Sequence, residues 1–340
     1  MIYKLKYLLI VFSVISCVKL NPEEVNTNIT LNGNGLILIG NEGNFQNGNA
    51  SLSSYNINTQ QTTNNIYQAI NQELIGDVLH SIYHSDHLLY LVVNNSGKVI
   101  VIDDESLEKK MEIRNLVSPR KIIKVDNSKF YISDLYASEV TVYNNYDGAI
   151  EKIPVDGWCE DIIIQNGKAY ISNITNNQLY VVNTSNDNIF DSISVGSNPV
   201  SIKEDSRGNI WVLCQGNLTN NENPSISIIE TNTNLILKSF TLTNNFSYPS
   251  SLDIDIQTNQ IYFINKHIYK IQNLDDTVAN EIWFNNNNNF YNLKINPYTK
   301  DIFISDAKDY VQNGTLYIID SIGNFVEEIA TGIIPKSIVF

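Results

Sequence analysis

Cysteine is scarce in this chain: three residues in 340, none of them in a Cys-x-x-Cys pair. There are four histidines and no zinc-like spacing among them, so a zinc site is not expected. His80 and His84 share strand parity while His87 lies past a turn, and the three read as structural. Basic charge is also short. Lys and Arg number 22 against 36 Asp and Glu, a formal net charge of −14. Such a surface repels phosphate backbones, which argues against nucleic acid as a partner. Helical periodicity is missing, because no long stretch places apolar residues at i, i+3, i+4 and i+7. Catalytic signatures are missing too: there is no Gly-x-Ser-x-Gly, Walker loop or His-Glu-x-x-His. Paired carboxylates such as Asp103-Asp104 and Asp275-Asp276 fall in turns, where Asp caps its own backbone. None can be placed across a cleft as in glycosidases. These absences lead us to expect no metal, no cofactor and no enzymatic activity.

What the chain has in quantity is Asn and strand-forming Tyr, Ile, Val and Thr. Pro and Gly sit between the apolar runs rather than within them. An aromatic strand recurs as "LLYLVV" around Tyr90, "KFYISD" around Tyr131 and "KAYISN" around Tyr170. It continues as "NIWVLC" around Trp211, "QIYFIN" around Tyr262 and "DIFISD" around Phe303, with "GLILIG" around Ile37 a weaker first copy. The steps between copies are 53, 41, 39, 41, 51 and 41 residues. A period near 40 with several short strands per repeat predicts an all-β, seven-bladed β-propeller of four-stranded antiparallel blades. Inner strands are expected at about 77–84, 120–125, 159–165, 199–204, 250–256, 289–296 and 334–340. The strand at 36–39 has no inner strand directly before it. The C-terminal segment is therefore expected to pair with it and close the ring.

Three segments follow from this reading: 1–17, a polar tether over 18–33, and the propeller over 34–340. Residues 1–17 carry a basic start at Lys4 and Lys6, then an apolar stretch too short to span a bilayer as a permanent helix. They end in Val14-Ile15-Ser16-Cys17, which resembles the lipobox of bacterial lipoproteins. That resemblance implies a signal peptide, a lipidated Cys17 and a membrane partner reached through the lipid anchor. Glu23 and Glu24 resemble the acidic export signal of Bacteroidota surface lipoproteins, which implies the outer face of the outer membrane. Cys159 and Cys214 remain, either as two buried thiols or as a disulfide.

The stretch "YISNITNNQLYVVNTSNDNIFDSISVGSNPVSI" (170–202) resembles the YVTN-type repeats of seven-bladed surface propellers. "NEGNFQNGNASLSSYNINT" (41–59) and "IGDVLHSIYHSDHLLYLVVNNSGKVIVID" (75–103) resemble the first blades of YncE-like, DUF5074-type lipoproteins of Bacteroidota. The best-understood proteins of that kind capture cobalamin and sit on a TonB-dependent outer-membrane transporter. The resemblance thus implies a corrinoid as small-molecule ligand and such a transporter as partner.

Loops entering the inner strands and loops after the aromatic strands should share one propeller face, around the channel mouth. Those after the aromatic strands contribute Asn41, Asn44, Phe45, Asn94, Asn95, Asp134, Tyr136, Asn173, Gln215, Asp306 and Tyr310. Those entering inner strands contribute Asp77, Arg120, Trp158, Phe246, Tyr248, Phe290 and Tyr291. Amides pair with neutral polar edges, and aromatic rings stack on flat ones. A corrin, a haem-like macrocycle, a glycan or a polar peptide would each fit. Two other readings stand beside ligand capture: a propeller enzyme of the lyase, lactonase or quinone-dependent dehydrogenase kind, and a protein-interaction scaffold.

Overall fold

A computed structural model of the protein describes residues 31, 35–242, 248–276, 278–283 and 288–340. The segment 1–17 with Cys17, nearly all of the tether and Phe246 lie outside the described residues. Seven antiparallel sheets of four strands make up the chain. Inner strands run Leu79–Ser85, Pro119–Lys124, Cys159–Gln165, Pro199–Glu204, Ser250–Asp255, Phe290–Ile295 and Pro335–Val339. All seven fall where the repeat predicts them. In six blades the chain runs outward through four consecutive strands. In blade 1 the inner strand is Pro335–Val339, hydrogen-bonded to Leu36–Asn41, so the tail completes the sheet that the head begins.

Alternation along the strands explains how a blade buries both faces. In Leu36–Asn41, Leu38 joins a core shared with Leu89, Leu91 and Ile100 of blade 2. Its neighbours Ile37 and Ile39 join Phe303, Leu316 and Ile318 of blade 7 on the opposite face. Successive side chains of a strand point to opposite faces, so one short apolar run feeds two interfaces. Phe340, at the chain's end, packs edge-on against Phe303 with ring centroids 5.0 Å apart.

The aromatic that marks each repeat is buried in every copy. The Tyr170 hydroxyl donates to the Thr231 carbonyl at 2.9 Å and to Asn234 Oδ1 at 2.8 Å, both in the next blade. Tyr131 reaches Asp187 of blade 4, and Tyr262 reaches the Ser321 carbonyl of blade 7 at 3.3 Å. The repeated ring therefore fills a core, and in Tyr131, Tyr170 and Tyr262 its hydroxyl also fastens one blade to the next. The first long step in the period holds a short helix, Ile66–Asn71, between blades 1 and 2, whose Ile66 and Tyr67 plug the shared core. Cys159 and Cys214 are both free and buried, on strands of blades 4 and 5. Burial pushes both thiols up to about 12.

Candidate functional site

Each inner strand slips register at its start, and the residue skipped by the ladder turns toward the axis. The skipped residues are His80, the Arg120-Lys121 pair, the Glu160-Asp161 pair, Val200, Ser251, Tyr291 and Lys336. A bulge re-aims side chains locally, and here it happens once per blade. The result is a cavity of about 440 Å³ on the propeller axis, walled by these residues together with Trp158, Gln215, Lys203 and Lys294.

A ring of inter-blade hydrogen bonds holds the wall in place. Ser337 Oγ accepts from the Ile82 amide at 2.9 Å, and Ser81 Oγ donates to the Arg120 carbonyl at 2.6 Å. Asp161 accepts from the Ile202 amide at 3.1 Å and Ser201 from Leu252 at 3.3 Å. Ser251 accepts from Leu293 at 3.0 Å, and Asn292 Nδ2 donates to the Lys336 carbonyl. Between blades 3 and 4 the small polar residue is replaced by Lys121. There Ser133 of the neighbouring strand takes over and donates to the Glu160 carbonyl at 3.2 Å.

At the mouth, Arg120 grips Glu160 with both arms, Nε to Oε2 at 2.7 Å and Nη2 to Oε1 at 2.6 Å. Trp158 donates its indole N–H to the same Glu160 Oε2 at 2.7 Å, and the Arg120 guanidinium lies 5.7 Å from the Trp158 ring centre. Gly157 makes this possible. Its φ is +82°, and a Cβ there would meet Thr175 Oγ1 at 2.4 Å, the same oxygen that accepts the Trp158 amide. Across the mouth, Glu42 takes Lys336 at 3.1 Å and the Tyr291 hydroxyl at 2.9 Å. Lys336 also lies over the Tyr291 ring, 5.0 Å from its centre. His80 sits between the two groups, with Nδ1 3.1 Å from Glu42 and Nε2 3.5 Å from Glu160.

The charges follow from these contacts. Burial alone would raise the Glu42 carboxyl, but Lys336, His80 and Tyr291 overcome it and hold it at about 2. Burial likewise opposes ionisation of Glu160, and Arg120 and His80 bring it well below the usual carboxylate range. His80 is lowered by burial and by the neighbouring Arg120 and Lys336, with its contacts to Glu160 and Glu42 opposing them.

The residues expected at this face divide into three groups. Arg120, Trp158, Gln215 and Tyr291 line the cavity. Phe45, Tyr136, Tyr248 and Tyr310 are exposed, and Tyr310 meets Tyr291 edge-on at 5.9 Å. The third group spends its polar atoms inside the fold. Asn41 is fully buried and donates to Ser53 Oγ at 2.8 Å, and Asn94 donates to the Pro119 carbonyl at 3.0 Å. Asn173 donates to the Asp156 carbonyl at 2.6 Å. Asp134 accepts the Ser118, Tyr136 and Ala137 amides, and Asp306 accepts those of Asn289 and Lys308. Asp77 takes the Gln46 amide at 2.8 Å and the Asn95 side chain. Asn44 donates to the Tyr310 carbonyl, and Phe290 of blade 7 stacks on Trp283 of blade 6 at 5.3 Å. Sequence reasoning did not pick out His80, Lys121, Glu160, Lys203, Lys294 or Lys336. For four of them the signal is there: "SPRKI", "CEDI", "NPVSIKE" and "IPKSI" put Lys121, Glu160, Lys203 and Lys336 into inner strands that should otherwise be apolar or small. Among the described residues no group of three His, Cys, Asp or Glu could hold a metal.

Fold and site together define a closed seven-bladed propeller with a charged, aromatic-rimmed cavity at one end of its channel. The chain belongs to the family described as a domain of unknown function, DUF5074, whose model matches residues 34–333. No curated protein matches it. Among solved structures it is similar to a quinonprotein alcohol dehydrogenase-like protein from Bacteroides thetaiotaomicron VPI-5482. That match has a TM-score of 0.73 at 12% identity, covering 90% of this chain and 78% of that one. It is also similar to a 6-phosphogluconolactonase candidate from Bacteroides fragilis NCTC 9343, with a TM-score of 0.65 at 12% identity, covering 91% and 98%. The dihydro-heme d1 dehydrogenase NirN, in complex with DHE, is similar with a TM-score of 0.58 at 10% identity, covering 90% and 75%. Identities this low speak for the shared propeller fold alone.

Proposed function

We propose that this protein is a binding module of the cell surface, tethered through a lipid on Cys17, that captures a flat, polar-edged nutrient over the channel mouth. A corrinoid is the leading ligand, handed on to a TonB-dependent outer-membrane transporter beneath. The observation that carries the reading is the mouth itself. Trp158 and Tyr291 are fixed by hydrogen bonds to Glu160 and Glu42, and Phe45, Tyr136, Tyr248 and Tyr310 are exposed. Rings already held in position lose little freedom on binding, so a shallow site of this kind binds tightly.

Calorimetry with cyanocobalamin tests the corrinoid reading. Saturable heat and a raised melting temperature are expected, with affinity at least tenfold weaker in Trp158→Ala, equivalent to about 1.4 kcal/mol. No heat and no thermal shift at high ligand concentration rejects a corrinoid. Binding that ignores Trp158→Ala and Tyr291→Ala moves the ligand away from the mouth.

A further inference from the structure

Below the aromatic mouth the wall changes character. Lys121, Lys203 and Lys294 extend into the cavity from the inner strands of blades 3, 5 and 7, three alternate blades around one axis. Arg120 and Lys336 bring the cationic residues of the lining to five, while only Glu160 and Asp161 of the lining are acidic. The chain as a whole carries −14, so this local excess of positive charge runs against the rest of the molecule. Four of the nearby charges are already matched: Arg120 with Glu160 and Lys336 with Glu42. Lys203 has Asp253 at 3.7 Å, a loose pair whose carboxylate also takes the Ile295 amide at 2.9 Å. Asp161 spends both oxygens on backbone, Oδ1 on the Ile162 amide at 3.0 Å and Oδ2 on Ile202 at 3.1 Å. Among the described residues, the ammonium groups of Lys121 and Lys294 then have neither hydrogen bond nor ion pair.

Such an arrangement costs the folded protein free energy. Burial lowers Lys294 to about 8, with repulsion from Lys203 and Lys121 adding to the effect and Asp253 opposing it. Burial also lowers Lys121, with Asp161 and Glu160 opposing and Lys203 and Lys336 adding to the effect. Lys203 keeps 37% of its side-chain surface accessible, so the channel is open to water and to a solute. Asp253 and Asp161 favour the Lys203 ammonium, but among the described residues Lys121 and Lys294 have no direct partner, and repulsion among the three cations in a partly dry channel is what a bound anion would relieve.

We propose that the channel beneath the mouth binds a free, compact, multiply charged oxyanion, of which inorganic phosphate is the probe, held by Lys121, Lys203 and Lys294. The proposal does not rest on the corrinoid reading. It asks for a small ion on the axis rather than a flat ligand on the face.

Phosphate titrated into the full chain, with chloride lowered to hold ionic strength constant, gives the test. A saturable rise in melting temperature and a matching heat are expected. Lys294→Gln should weaken the apparent affinity at least tenfold, and Lys121→Gln/Lys294→Gln should abolish the rise. In phosphate-free buffer the double variant should melt above the parent, because it loses repulsion and no partner. Lys152→Gln, on an outer strand, should leave the phosphate response unchanged. A rise no larger than chloride produces overturns the proposal, as does a rise that persists undiminished in Lys294→Gln or in the double variant. Should the double variant not fold, Lys294→Gln alone decides.

Discussion

Tyr170 shows how much one residue carries. Its ring fills the core between blades 4 and 5, and its hydroxyl satisfies the Thr231 carbonyl and Asn234 Oδ1. Tyr170→Phe keeps the ring and removes the hydroxyl from two acceptors that Lys168 Nζ still reaches at 2.7 and 3.0 Å, so the expected loss is that of an ordinary hydrogen bond, about 0.5–1.5 kcal/mol. Urea unfolding should show that loss with an unchanged slope, and equal midpoints for the two proteins would refute the role assigned to the hydroxyl. The ring was legible from the repeat because burial selects a large aromatic at the same point of every blade. The hydroxyl's partner was not legible, since it lies 61 to 64 residues further on, in a different blade. The same limit explains the amides. "Asn after the aromatic strand" is visible as a pattern. Whether that Asn faces a ligand, as a loop residue could, or caps the Pro119 or Asp156 carbonyl, as Asn94 and Asn173 do, depends on a second segment's position.

Among elements, the C-terminal strand matters most. Pro335–Val339 pairs with Leu36–Asn41, and Ile338 packs in the core between blades 7 and 1. Gly314 keeps the junction close, because a Cβ there would lie 2.2 Å from the Pro335 ring. Removing residues 334–340 would expose apolar surface on blades 1 and 7. At ~25 cal/mol per Å², a few hundred Å² of such surface is comparable with the whole stability of a domain. The truncated chain should lack a cooperative thermal transition, and melting like the full chain would show that closure is dispensable. This closure was legible, since seven inner strands and one unpartnered first copy leave a single arrangement. The register slips were not. Which residue of "SPRKI" leaves the ladder depends on pairing with Lys129–Asp134, and the slip is what turns Arg120 and Lys121 inward.

On the scale of the whole molecule, one charge network spans the ring. Glu42 and Lys336 of blade 1, His80 of blade 2, Arg120 of blade 3, Glu160 of blade 4 and Tyr291 of blade 7 meet at the mouth. Glu42 and Glu160 are depressed in the folded state, so their stabilisation is full above their unfolded value of about 4.5 and is lost as pH falls through the folded values. His80 is lowered too, and an imidazole kept neutral by the fold loses stability as pH drops below about 6.5. Both effects weaken the fold in acid. The net charge of −14 acts the other way, because protonating surface carboxylates relieves repulsion. Comparison with Glu42→Gln separates them. The parent should lose more melting temperature than the variant between pH 5 and pH 2.5, and parallel profiles would remove Glu42 from the network.

Strand period, aromatic repeat and unpaired ends are local or periodic properties, and the sequence alone determined from them the all-β class, the blade count and the closure. It also put two kinds of loop at one end of the channel, because strand direction alternates. What the tertiary structure decided is which side chains are left to act there. A ring of seven inner strands brings charges from residues 42 to 336 to within a few ångströms of one another, and only that assembly separates carboxylates already paired from lysines still without a counter-charge. Chain order carries no record of those distances, since electrostatic pairing depends on separation in space.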